Sequence, residues 1–228
     1  MTLKYSQSSW TWLLLFLLLL APSSAWAEDS KSAATVEKAD KGVISLFDGE
    51  TLKNWKSTAF GSEGEISVKD GCLRMDKGKP MTGITWTGEA LPKVNYEITW
   101  EARRVDGSDF YCALTFPVKE DPCTFVVGGW GGKLCGLSSI NYQDASENET
   151  TRFQEFEQGK WYKFKLRVTE KKIETWLDEK SLADVDYTDK KLTIRLEVER
   201  SKPLGFSTYR TLGEIRKVQL KKLTATPE

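Results

Sequence analysis

The chain has 228 residues, 33 Lys and Arg against 33 Asp and Glu, four cysteines and no histidine. Balanced charge leaves no basic footprint for nucleic acid or anionic lipid. The lack of histidine removes the Ser-His-Asp and Cys-His nucleophile systems, and without a Cys-x-x-Cys a zinc site has no ligand pattern to rest on.

Lys4 supplies a positive start, residues 12–20 are nearly unbroken leucine, and Ala25-Trp26-Ala27 has the small-x-small form that signal peptidase cuts. The apolar run is short for a bilayer span. Residues 1–27 are therefore read as a signal peptide cut before Glu28, with an uncleaved anchor as the alternative. The mature chain is then exported, periplasmic or secreted, with no membrane attachment after cleavage. Residues 28–41 are polar, alanine-rich and unpatterned, as in a flexible leader. Residues 42–228 form a single domain in this reading.

From Gly42 onward the period is two. Strands are expected at residues 43–47, 66–68, 72–75 and 83–86, punctuated by Asp48-Gly49 and Asp70-Gly71. Residues 94–103 alternate cleanly, with Tyr96, Ile98, Trp100 and Ala102 on one face and Asn95, Glu97, Thr99, Glu101 and Arg103 on the other. Carboxylates beside a guanidinium can act as acid, base or sugar-hydroxyl acceptor. The same pattern also describes an ordinary solvated sheet face with a salt bridge. Glu97, Glu101 and Arg103 are the first candidate site.

Strands at residues 110–116 and 124–128 flank a turn at 117–122, so Cys112 and Cys123 are placed to face each other across a hairpin. An exported chain with four cysteines favours bridges, and three connectivities are open. Cys112–Cys123 is the preferred pair, with Cys72–Cys135 as the second. Gly128-Gly129-Trp130-Gly131-Gly132 lacks the helix a phosphate loop needs. It reads either as a strand bend with a packed Trp or as close backbone approach beneath a ligand, with Trp130 exposed.

Residues 138–151 are dense in acceptors: Asn141, Gln143, Asp144, Glu147, Asn148 and Glu149. They could bind sugar hydroxyls, hold calcium through oxygen ligands, or form a plain surface loop. Asn148-Glu149-Thr150 also matches a glycosylation sequon. No other cofactor is implied. Alternation returns at residues 161–169, 173–178, 194–199 and 215–223, and nowhere does a helical period last three turns. The chain is read as all-β, an antiparallel two-sheet sandwich or jelly roll.

Ile44-Ser45-Leu46-Phe47-Asp48-Gly49, with Leu52 and Asn54-Trp55, resembles the "LFDG…L…W" opening of the DUF1080, or 3-keto-disaccharide hydrolase, family. Tyr96-Glu97-Ile98 with Glu101-Ala102-Arg103 is similar to its "Y-E-L…E-x-R" strand, and Ser201–Gly205 and Gly213–Arg216 also fit. Gly136-Leu137-Ser138-Ser139 stands where many members carry G-x-E-x-Q, so no catalytic role is carried to that strand. The resemblance implies a concanavalin A-like (LamG/laminarinase-type) sandwich. It also implies hydrolysis of 3-keto-glycosides by elimination and hydration.

The expected function is thus an extracytoplasmic carbohydrate-active domain. Glu101 is the candidate base, Glu97 the acid and Arg103 the oxyanion or orienting group, with Trp130, Asn148 and Glu149 in contact with sugar. The alternatives are a non-catalytic carbohydrate-binding module and a structural or adhesive envelope protein. A concavity shared by Glu97, Glu101, Arg103 and Trp130 would mark a site, whereas open solvent would favour a scaffold.

Overall fold

The computed structural model describes residues 42–224, so the expected signal peptide and leader lie outside the described residues. Fifteen strands follow in order: β1 Val43–Ser45, β2 Trp55–Ser57, β3 Ile66–Lys69, β4 Cys72–Met75, β5 Met81–Trp86, β6 Tyr96–Asp106, β7 Ala113–Val118, β8 Asp121–Gly129, β9 Leu134–Ser138, β10 Arg152–Phe153, β11 Tyr162–Val168, β12 Lys172–Leu177, β13 Lys180–Asp186, β14 Gly205–Tyr209 and β15 Leu212–Lys222. The first sheet runs β13-β12-β11-β6-β15-β4-β3, with β1 also on β15; the second runs β10-β9-β8-β7-β14-β5-β2. Every pairing is antiparallel. This is the expected all-β sandwich.

The long central strand β6 shows why the sheets close on each other. Its Tyr96, Ile98, Trp100 and Ala102 are buried while the residues between them stay half exposed. Trp100 stacks on Phe164 of its own sheet at 5.3 Å and meets Phe125 and Phe206 of the other sheet edge-on at 6.3 and 5.6 Å. These aromatic contacts join both inner faces into one core.

One expected strand is something else. Leu196–Ser201 is a 3₁₀ helix laid over the outer side of the second sheet, with Leu196 86% exposed and Val198 buried. A three-residue apolar alternation without a neighbouring strand to pair with does not hold a strand. β14 carries no period-two pattern, and β9 is marked as a strand by the family resemblance alone, for the opposite reason. Both their faces are covered, so their sequences lack polar alternation.

The expected disulfides are absent: all four cysteines are buried free thiols. The β7–β8 register pairs Phe116 with Cys123. Cys112 is therefore about 13 Å further along the hairpin, where a bridge needs Cα atoms about 4.4–6.8 Å apart. Cys72 is in β4 of the first sheet and Cys135 in β9 of the second, so that pair is parted as well. Burial raises Cys123 to about 12 and Cys135 to about 11, and raises Cys112 too. The native protein is expected to show no fast-reacting thiol at neutral pH, and unreduced protein in denaturant to show all four. Denatured protein without titratable thiol would restore the bridges.

Candidate functional site

The outer face of the second sheet carries a depression because its central outward positions are small. Register lines up Thr85, Gly205, Thr115, Thr124 and Ser138 in one row, and Gly83, Ser207 and Ala113 in the next. Above this floor is a pocket of about 300 Å³. Thr124, Val126, Ala113 and Ser138 line its base, and Met81, Phe110, Tyr209 and Trp130 form walls. The Phe110 and Tyr209 rings meet at 5.6 Å. The 3₁₀ segment closes the remaining side with Arg195, Glu197 and Val198.

Trp130 is 47% exposed at the tip of the β8–β9 turn. Its φ of 48° is flanked by Gly128 at 70°, Gly131 at 85° and Gly132 at 108°, left-handed values that glycine adopts freely. A Cβ on Gly128 would meet the Arg104 guanidinium at 2.6 Å, and one on Gly132 would meet the Ser108 carbonyl oxygen at 2.7 Å. The glycine run is therefore a close-approach turn with its tryptophan outward.

Two carboxylates line the pocket in different settings. Asp109 accepts from the Phe110 N–H at 2.8 Å and the Gly131 N–H at 3.1 Å, and makes no ion pair among the described residues. Glu197 accepts from Arg195 Nη2 at 2.8 Å, which holds its carboxyl below the usual range. Arg195 also pairs with Asp144, which accepts from Ser138 Oγ at 2.5 Å and the Ala145 N–H at 2.7 Å. Burial pushes Asp144 up, but the Ser138 hydroxyl and Arg195 outweigh it and its pKa is lowered. Glu197 and Asp144 in turn raise Arg195.

The first candidate site is elsewhere. Glu97, Glu101 and Arg103 project from β6 on the outer face of the first sheet, so they share no concavity with Trp130. Each is held by a neighbour. Glu97 accepts from Arg167 at 3.0 and 3.2 Å, Glu101 from Arg216 at 2.7 Å and Lys217 at 2.8 Å, and Arg103 donates to Glu214 at 2.7 Å. Arg103 and Arg216 lie over the Trp161 ring at 4.7 and 4.0 Å. Burial pushes Glu101 up, yet Lys217 and Arg216 outweigh it and its pKa is lowered, which weakens it as a base.

Asn148 is buried and fully engaged. Its Nδ2 donates to the Leu137 and Gln143 carbonyls at 2.8 and 3.1 Å, and its Oδ1 accepts from the Thr150 N–H and hydroxyl at 2.9 and 2.6 Å. It ties the loop together and leaves no group for sugar, nor a nitrogen for glycosylation. Glu149 is bound to Lys190 at 2.6 Å outside the pocket. For calcium, two further acceptors of the loop are likewise engaged by protein: Asn141 Oδ1 accepts from the Lys191 N–H, and Asp144 serves Arg195 and Ser138. Among the described residues no group of three or more Asp, Glu or Cys side chains is placed to hold a metal ion.

Of the six candidate site residues, the structure puts only Trp130 at the pocket. Asp109, Phe110, Arg195 and Tyr209 were missed. Asp109 and Phe110 follow the Asp106-Gly107 turn signal, which could have marked a functional loop.

No curated protein sequence matches the chain. Among solved structures it is similar to a Parabacteroides distasonis protein provisionally named a glycosyl hydrolase, with 14% identity over 80% of this chain and 95% of that one and a TM-score of 0.52. It is also similar to Crh5 transglycosylase, with 10% identity, 80% and 84% coverage and a TM-score of 0.53. The Emp46p carbohydrate recognition domain matches with 12% identity, 76% and 90% coverage and a TM-score of 0.50. At such identities the likeness is one of fold, the concanavalin A-like sandwich. Residues 42–221 match the 3-keto-alpha-glucoside-1,2-lyase-like domain, and the chain belongs to that family.

Proposed function

We propose that the protein is an extracytoplasmic carbohydrate-active domain that seats one sugar ring in the pocket above the second sheet. The observation that carries this reading is the pocket itself. Three aromatic side chains, Phe110, Trp130 and Tyr209, stand around Asp109, Glu197 and Arg195, so apolar ring faces and hydroxyl partners converge on one concavity. Asp109 and Glu197 against Arg195, with Asp144 behind it, leave the pocket net negative, so a neutral glucoside binds better than a glucuronide.

Family membership supports elimination from a 3-keto-glucoside as the reaction. The C3 ketone acidifies the C2 hydrogen. Asp109 removes that proton, electrons shift to form the C1–C2 double bond, and the C1–O bond breaks as the leaving oxygen takes a proton from Tyr209 or water. Arg195 donates to the C3 oxygen as negative charge builds there. Water then adds at C1 and a solvent proton returns to C2, giving net hydrolysis.

A second reading, sugar binding without turnover, is favoured by Arg195 being already paired with both Asp144 and Glu197, which occupies the group that elimination needs at the C3 oxygen. The test is methyl 3-keto-α-glucoside in D₂O, followed by NMR. Methanol release with deuterium at C2 is the expected result. Saturable binding of methyl α-glucoside without turnover of the ketone selects the binding module. Absence of both overturns the pocket as a sugar site.

A further inference from the structure

We propose that Arg104 is a positioning residue for this pocket: from inside the sandwich its guanidinium sets the Gly128–Gly132 turn, and so the orientation of Trp130. The inference rests on the pocket being the sugar site, but its main readout needs no sugar.

Arg104 continues the inward face of β6, where Tyr96, Ile98, Trp100 and Ala102 precede it, and it is buried. No carboxylate among the described residues pairs with it. Its charge instead meets the Gly132 carbonyl at 2.7 Å, the Gly128 carbonyl at 3.5 Å, and the faces of Tyr111 and Phe156 at 5.2 and 5.9 Å. Burying a cation this way is a poor route to stability, since an apolar side chain of similar volume usually serves as well or better. What the guanidinium does that methionine cannot is turn two carbonyls of one tight turn inward together. With those carbonyls held from below, the Gly131 N–H is left to Asp109 on the pocket side. The turn is thus gripped from both sides, and Trp130 at its tip has one direction left. Without the cation, two buried carbonyls lose their donor, and the turn relaxes to find another.

The experiment uses the full chain labelled with 5-fluorotryptophan, with the Trp130 fluorine resonance assigned by Trp130→Phe. In wild type that resonance is expected narrow and away from the free-tryptophan shift. In Arg104→Met it should broaden and move toward the free shift while the Trp100 and Trp161 resonances stay put, and Arg104→Lys should give an intermediate result. On methyl 3-keto-α-glucoside, KM should rise about tenfold with kcat nearly unchanged, the size of one aromatic contact. Three results overturn the inference. These are an unmoved Trp130 resonance in folded Arg104→Met, an equal shift of all tryptophans, or a wild-type Trp130 already at the free shift. The last needs no variant to fold. Failure of wild type to bind any sugar would sink the pocket reading and leave the fluorine result standing.

Discussion

Asp109→Asn lowers turnover of a 3-keto-glucoside by roughly 10²–10⁴-fold, the usual contribution of a positioned base. Asp109 is the pocket carboxylate that no cation among the described residues neutralises, and its oxygens accept from two backbone N–H groups while staying free of an ion pair there. Asparagine keeps the size but only one of the two acceptors, so the base is lost together with one of the bonds from the Phe110 and Gly131 N–H groups. The informative comparison is Glu101→Gln. Glu101 lies on the opposite face of the sandwich between Arg216 and Lys217, and its substitution should change the rate less than about twofold, as remote surface changes do. A loss confined to Glu101→Gln would return catalysis to the β6 outer face. Equal wild-type rates in both variants would remove both carboxylates from the mechanism.

The largest loss of stability is expected from Trp100→Ala, about 3–5 kcal/mol by denaturant unfolding. Trp100 is 1% exposed and its ring touches aromatic side chains of both sheets, so truncation opens a cavity at the seam where they meet. Trp100→Phe keeps a ring at the seam and removes only part of the volume, so it should cost less. Trp161→Ala is the contrast. That ring is half-buried beneath Arg103 and Arg216, where each cation contact contributes only about 0.5–1 kcal/mol. A Trp100→Ala midpoint within error of wild type would mean that the two sheets do not depend on this seam.

Half-buried strands were legible because one face of each meets water. β6 and β11 alternate in sequence and in the structure alike. β9 and β14 lack that alternation because loop and 3₁₀ segments cover their outer faces, which erases the period-two signal just where the pocket is built and leaves β9 marked by the family resemblance alone. The same logic explains the site. Outward polar residues such as Glu97, Glu101 and Arg103 are conspicuous in a pattern, but conspicuousness reports exposure and not convergence. Convergence comes from loops 109–110 and 195–198, whose position over the sheet no local periodicity encodes. The sequence does carry one signal for the turn: Arg104 interrupts an otherwise apolar inward face, and a charged residue at a core position demands partners. The glycines of residues 128–132 supply them.

The pairing of β1 with β15 has a mechanical consequence. Val43 sits opposite Lys221, so the two ends of the described domain leave side by side, separated by about 5 Å, one antiparallel pair. Tension applied through those ends would peel β1 from β15 one rung at a time, loading each hydrogen bond in turn rather than the ladder at once. Such a zipper opens at low force, and the first rungs to go belong to the first sheet, away from the pocket floor. For the same reason a short peptide could join the ends and the chain could be reopened at the exposed Lys119–Glu120 turn, giving a permuted protein with the same two sheets.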